Sequence, residues 1–344
     1  MIIGTCGYSW SGSSAVADYL AEFEENLVYN EEEFVLAFYP DGLQDLDYHL
    51  NEKCAKFISS TVAIPRFKKV AHYLLNDSTH GKIDQITERY IDNLVQVRWQ
   101  GMGQGQSVLY KGWVYKYIAE KFTKRIIRKL PEEVCQRLSI FPITDMQYSI
   151  CPADFLEKTI EYTEAILKSI GLDTEKNIVL DQPFPGNNPV SSMKYYKDSR
   201  CVVVDRDPRD LYLLAKKYFP RRSYQVPHRT YKEFIDYYYH MHKLQKTWMS
   251  NDDILFIQFE DLIFQYDNTT KKIAEFLKLG EPKYKGMYFQ PEKSMANTRL
   301  FLNSNEYKDD IKAIEHSLTE YLYDFSRYSN ITTKASIFDE NPPI

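Results

Sequence analysis

Apolar positions along the chain fall into two kinds of run. Short β-branched or aromatic stretches at 2–5, 27–29, 178–180, 201–204 and 254–257 read as strands. The run at 201–204 is continuously apolar, as in a parallel strand buried on both faces. Other segments repeat with helical spacing. A helix opens after a Gly/Ser loop and runs to about Phe23, with Ala15, Val16, Tyr19, Leu20 and Phe23 on its apolar side. Further helices are predicted near 153–169, 209–218, 230–249 and 268–278. Strands alternating with helices predict βαβ units, hence an α/β fold: a mostly parallel five-stranded sheet flanked by helices. About 145 residues between the second and third strands, 110–127 among them, carry helical periodicity and few strand signals. They predict a large α-helical insertion, residues 50–150, within a single α/β domain spanning 1–344. Pro152 suits the first turn of the helix that begins near Asp154. The tail after Ser326 is polar, ends Asn-Pro-Pro-Ile and reads as loosely held.

A length of 344 residues fits about two domains or one large α/β unit. Forty-three basic against 48 acidic side chains leave a net charge of -5, so no basic field exists to bind nucleic acid. With 28 tyrosines and only 13 glycines the chain is not of low complexity. The five cysteines are scattered and form no C-x-x-C pair, which excludes zinc ribbons and thioredoxin-type motifs and points to a reducing, cytoplasmic setting. The first 17 residues are uncharged, but they lack a basic start and are broken by glycine and serine, so no signal peptide is expected. No run of 18 apolar residues marks a membrane span.

Three segments carry chemistry. Gly7-Tyr8-Ser9-Trp10-Ser11-Gly12-Ser13-Ser14 follows a strand and opens a helix. Such a loop aims backbone N–H groups and a helix N-terminus at one spot, a cradle for phosphate or sulfate oxygens, and Ser11, Ser13 and Ser14 add hydroxyls. The spacing is that of a Walker A motif with serine in place of lysine, which disfavours an ordinary NTPase. A Gly/Ser loop that only caps its helix needs no ligand. The second segment, Asp205-Arg206-Asp207-Pro208-Arg209-Asp210, puts Arg206 just beyond a buried strand, where open α/β sheets bind ligands. Arg206 can take a phosphate bidentately. Asp207 and Pro208 suit a helix cap and first turn, and Arg209 with Asp210 reads as a surface pair. In the third, Phe259-Glu260-Asp261-Leu262, the carboxylates read as backbone ligands rather than catalysts.

In order and spacing these segments resemble the sulfotransferases that use 3′-phosphoadenosine 5′-phosphosulfate (PAPS). Ser11-Gly12-Ser13-Ser14 is similar to their 5′-phosphosulfate loop, Arg206-Asp207-Pro208-Arg209-Asp210 to their 3′-phosphate strand end, and Phe259-Glu260-Asp261-Leu262 to a later Y-E-D-L stretch. The resemblance covers residues 1–30 and roughly 175–300. It implies PAPS as co-substrate, no metal, and a hydroxyl acceptor such as a glycan, glycolipid or sterol-like alcohol. It also implies nucleotide contacts from Trp10, Ser11, Gly12, Ser13, Ser14 and Arg206, and from a closing loop with Lys293, Ser294, Asn297 and Arg299. Two positions depart from the pattern: Trp10 replaces the loop lysine or arginine, and Leu214 a serine that follows the 3′-phosphate arginine. Lys216, Lys217, Arg221 and Arg222 lie near enough in sequence to supply the missing charge.

Sulfuryl transfer needs a group to accept the acceptor's proton. Glu32 and Glu33, in Asn30-Glu31-Glu32-Glu33, and Asp181, at the end of a predicted strand, are the candidates for that base. His228, His240 and His242, on or near a tyrosine-rich helix, read as structural. Gly101-Met102-Gly103-Gln104-Gly105-Gln106 has no strand before it and reads as a turn or acceptor-side loop. Lys121, Lys124, Arg125, Arg128 and Lys129 form a basic face, solvated or open to an anionic acceptor or membrane surface. Tyr237, Tyr238, Tyr239 and Trp248 suit core packing or a cleft for a sugar or sterol. Two other functions fit the same residues: a P-loop kinase of a small molecule, and a nucleotide-binding protein without catalysis.

Overall fold

The computed structural model describes residues 1–29, 31–55, 57–101, 131, 134, 144–172, 175–220 and 225–328. The helix read at 110–127, the basic face at 121–129, Met102 to Gln106, Arg221, Arg222 and the tail from 329 lie outside the described residues. The strands are β1 (Ile2–Gly7), β2 (Asn26–Tyr29), β3 (Val97–Gly101), β4 (Thr144–Tyr148), β5 (Asn177–Asp181), β6 (Ser199–Asp205) and β7 (Ile254–Gln258). The longer described helices are α1 (Ser13–Leu20), α2 (Ile58–Leu75), α3 (Ile83–Leu94), α4 (Phe155–Ser169), α5 (Tyr231–His242), α6 (Tyr266–Leu277) and α7 (Lys308–Ser317). The chain divides into two compact units, Met1–Val35 with Leu172–Ile344, and Leu36–Gly171.

The first unit is built on a five-stranded sheet of order β2-β5-β1-β6-β7. All its pairings are parallel, with Gly7 opposite Val204 and Thr5 opposite Asp181. Ile3, Val179, Val202, Val204, Leu255 and Ile257 pack from the strands against Val16, Leu20 and Phe23 of the first helical segment and Leu262, Ile273 and Leu277 beyond β7. Each such side chain contributes about 1.5–3 kcal/mol when fully buried. From β1 the chain passes to β2 on one side, and from β6 to β7 on the other. The order therefore reverses between β1 and β6, and the crevice beyond their carboxyl ends is where ligands of open α/β sheets bind.

Two predicted helices are shorter than their periodicity implied. The segment at 208 forms a helix over Pro208–Leu213 and then a wider π-type turn, Leu214–Tyr218. The segment at 230 forms α5, opened by a capping box between Thr230 and Glu233, and a separate turn, Gln245–Trp248.

In the second unit α2, α3 and α4 pack around aromatic rings. Tyr90 stacks on Tyr162 at 4.3 Å, and their hydroxyls bond Thr159 at 2.7 Å and Thr87 at 2.8 Å. An antiparallel pair, β3 with β4, sets Trp99 opposite Met146 and adds strand to a stretch that reads as helical. Pro152 stands before α4, whose flanking Asp154 takes a left-handed φ of 58°. No helix among the described residues is long and apolar enough to cross a membrane.

Candidate functional site

The loop after β1 is shaped by its own side chains. Ser9 and Trp10 have φ of 62° and 51°, and Gly12, the residue before α1, has 101°. Only glycine fits at 12: a Cβ there would lie 2.3 Å from the Phe259 ring. Ser11 is buried and its Oγ accepts the Tyr8 N–H at 3.0 Å, so this hydroxyl holds the loop closed from within. Gln182, at the end of β5, supports the loop from the side. Its Oε1 accepts the Gly7 N–H at 3.2 Å and its Nε2 donates to Ser13 Oγ at 3.0 Å. Ser14 is exposed. The first turn of α1 leaves N–H groups without intrahelical partners, and the helix dipole makes that end positive. The arrangement can receive an anion.

Arg206 reaches this loop from the end of β6. It is 4% exposed, lies 4.8 Å over the Phe259 ring, and donates from Nη1 to the Trp10 carbonyl at 3.3 Å and from Nη2 to the Asn297 carbonyl. Its Nε finds no partner among the described residues, nor does the nearby Asn297 Oδ1. Arg206 thus ties the loop to the segment 291–299, and two of its nitrogens are occupied by main-chain carbonyls. A buried cation held by neutral oxygens, with one N–H left over, suits an anionic ligand.

Behind Arg206 lies a buried charged cluster. Arg209 is not on the surface: it grips Asp207 through two bonds, Nε to Oδ1 at 2.9 Å and Nη2 to Oδ2 at 2.7 Å, and also pairs with Glu315. Asp207 caps the helix Pro208–Leu213 by accepting the Arg209 N–H, as its position predicts. Asp210 is fully buried and accepts the Arg299 N–H at 2.7 Å; burial pushes its carboxyl up to about 7 against the pull of Arg206. Glu260 accepts the Asp207 N–H at 3.0 Å, and burial together with the Asp207 charge holds it well above the usual carboxylate range. Asp261 accepts from Gln265 and the Tyr323 hydroxyl. Both carboxyls of this segment are therefore structural ligands.

His242, read as structural from the sequence, braces the same strand end. Its ring lies between Tyr8 and Tyr238, 4.0 Å from each, with Nε2 3.0 Å from Asp205 and Nδ1 2.8 Å from the Tyr238 carbonyl. One nitrogen thus faces a carboxylate and the other a main-chain carbonyl. Asp205 also accepts the Arg206 N–H at 2.8 Å, so the ring helps set the backbone from which Arg206 springs.

Of the proposed bases, Asp181 ends β5 beside Gln182 and is half-buried. Desolvation first, and the charge of Glu33 second, push its carboxyl up to about 6, while hydrogen bonds from Thr5 and Ser13 oppose the rise. Its Oδ1 finds no partner among the described residues. The Phe34 N–H donates to the Asp181 carbonyl at 2.8 Å, which brings exposed Glu33 to this strand end. Glu32 is exposed. Asn297 and Arg299 join the cradle's surroundings through main-chain groups, whereas Lys293 is exposed and Ser294 half-buried.

Of the residues read as able to supply the missing charge, Lys216 and Lys217 are engaged elsewhere. Trp10 stacks on Phe219 at 5.5 Å, and Leu214 is buried among apolar side chains. Lys216 donates to the carbonyls of His228 and Arg229 at 2.9 and 2.8 Å, and Lys217 pairs with Glu306 at 3.5 Å. Tyr238 and Trp248 are core residues, Tyr239 is exposed, and Tyr237 bonds Ser9 of the loop. The sequence reading gave Gln182 and Asp205 no role; a polar side chain at a strand's carboxyl end is the one signal either gives.

The fold defines a P-loop-like α/β protein whose Gly/Ser loop and buried Arg206 meet at the point where strand order reverses. No protein-family model and no curated protein matches the chain. Among solved structures it is similar to the sulfotransferase domain from the curacin biosynthetic pathway, with a TM-score of 0.42 and 11% identity over 94% of this chain and 98% of that one. It is also similar to retinol dehydratase, crystallised in complex with androsterone and the inactive cofactor PAP. There the TM-score is 0.27 and the identity 13%, over 98% of this chain and 75% of that one.

Proposed function

We propose that this chain is a sulfotransferase that moves a sulfuryl group from PAPS to a hydroxyl acceptor, a small molecule or glycan. The observation that carries the reading is the cradle itself. A left-handed Gly/Ser loop, the N-terminus of α1 and a buried arginine with an unpartnered N–H among the described residues converge at the carboxyl ends of β1 and β6. These residues fit a nucleotide with two anionic ends. The loop amides, the start of α1 and Ser13 would hold the phosphosulfate end, and Arg206 the 3′-phosphate, with its carbonyl partners released. When bound, PAPS supplies an activated sulfuryl group.

The chain's own residues then have three tasks. Loop N–H groups stabilise charge on the anion's oxygens without reorganising, because Gln182 and Ser11 already fix the loop. Trp10, packed on Phe219, keeps water from one side of the loop. Asp181 takes the acceptor's proton, since a carboxyl near 6 is ionised at neutral pH yet more basic than an ordinary aspartate. Glu33 keeps it so.

One observation favours a second reading, nucleotide binding without catalysis: Trp10 replaces the loop cation, and Lys216 and Lys217 bond elsewhere. Calorimetric titration with 3′,5′-adenosine bisphosphate, with ATP and 5′-AMP as controls, tests the donor site. Micromolar binding that requires the 3′-phosphate is expected; no binding, or a preference for ATP, overturns the reading. Sulfuryl transfer from PAPS to a panel of hydroxyl acceptors then separates the enzyme from the silent binder.

A further inference from the structure

The proposed transferase site uses no thiol. Cys6 and Cys201 are buried in the sheet, and Cys135 lies outside the described residues. Cys54 and Cys151 are different. They stand 97 positions apart, yet within the second unit their Sγ atoms approach to 3.9 Å. Cys151 is exposed and Cys54 partly so.

Main-chain groups build this approach. The Leu50 carbonyl accepts both the Cys151 N–H at 2.9 Å and the Cys54 S–H at 2.9 Å, so one oxygen gathers the two residues. Cys151 Sγ lies 3.7 Å from the Asn51 carbonyl. Both cysteines have positive φ, 32° and 43°, so each side chain leaves a turn rather than a regular element. A disulfide bond is about 2.05 Å long. The sulfurs therefore need to close by about 1.9 Å, within reach of side-chain rotation.

We propose that Cys54 and Cys151 form a redox-active dithiol, a modification site that closes to an intramolecular disulfide on reaction with a small disulfide such as oxidised glutathione. Exposed Cys151 is the attacking group. Its thiolate displaces one glutathione thiolate from the oxidant and leaves the other half bound as a mixed disulfide. Cys54, whose proton is held by burial and by Cys151, then loses it and attacks the Cys151 sulfur, and the second glutathione leaves. Two protein thiols and one oxidised glutathione give one protein disulfide and two reduced glutathiones. The bond fastens the turn before α2 to the turn before α4 and encloses α2, α3, β3 and β4 in one covalent loop. This inference stands independently of the transferase reading.

The test uses the full chain in glutathione buffers of graded oxidised-to-reduced ratio, followed by acid quenching, alkylation, digestion and mass spectrometry. The expected product is a linked peptide pair containing Cys54 and Cys151, with titratable thiols in the denatured protein falling from five to three. Glutathione retained on Cys151, linkage of either residue to Cys135, or five persisting thiols would overturn the proposal. Two variants test the order of attack. Cys54→Ser accumulates the mixed disulfide at Cys151, and Cys151→Ser slows modification of Cys54 at least tenfold. Equal reactivity of the two cysteines in these variants contradicts the assigned attacker.

Discussion

At Asp181, burial and a neighbouring carboxylate act in the same direction. The folded chain holds its proton up to about pH 6, whereas the unfolded chain releases it near 3.8. Stability from this group is therefore present below pH 4 and lost as pH rises through 6. Asp181→Asn is expected to stabilise the protein above pH 6 by up to about 3 kcal/mol and to leave it unchanged below pH 4, as read by thermal unfolding. In the proposed transferase the same residue is expected to set the acid limb of turnover, with kcat falling as pH drops below 6. Glu33→Gln removes the like charge, so the limb moves to lower pH; a limb that stays in place would exclude Glu33 from this role. At Arg206, replacement by alanine should weaken binding of 3′,5′-adenosine bisphosphate by about 2–4 kcal/mol. Arg206→Lys, which keeps charge but not the planar fork, should recover only part of that loss. Affinity unchanged in either folded variant removes Arg206 from the site.

At the scale of the element, the loop and its supports are the vulnerable parts. Gly12→Ala combines a left-handed backbone with a collision against Phe259 and should cost about 2 kcal/mol or more in denaturant unfolding. Glu260 offers a cleaner contrast. Burial raises its carboxyl well above the usual range, and Glu260→Gln keeps an acceptor for the Asp207 N–H, so it should cost far less than removal of the side chain. Glu260→Ala leaves that N–H buried and unpaired and should cost about 2–4 kcal/mol. The sheet's strands were legible because parallel strands buried on both faces are continuous apolar runs, Val202-Val203-Val204 being the clearest. The pair β3 and β4 was not, because Val97, Arg98, Trp99 and Gln100 are all exposed and give no alternation for a core to impose.

At the scale of the whole molecule, buried acids dominate the pH response. Asp181, Asp210 and Glu260 all keep protons in the folded state that the unfolded chain releases at lower pH. Their stabilising contribution is fully present at about pH 4 and declines as pH rises through 6 and 7. The melting temperature is thus expected to fall between pH 6 and pH 8; a rise over that interval in scanning calorimetry would show that the cluster is charged in the fold.

The sequence by itself determined the α/β class, the strand–loop–helix at the amino end and the arginine beyond β6. Each of these is local, written in hydrophobic period, glycine placement and the proline after Asp207. Only the tertiary structure decided how those pieces are used. Arg206 meets carbonyls from Trp10 and Asn297, Gln182 reaches across from β5 to the loop, and Arg209 turns inward to Asp207. Cys54 and Cys151 come together across 97 positions. Such pairings depend on strand order and on the direction in which each turn releases its side chain, and neither has a period that a linear sequence can display.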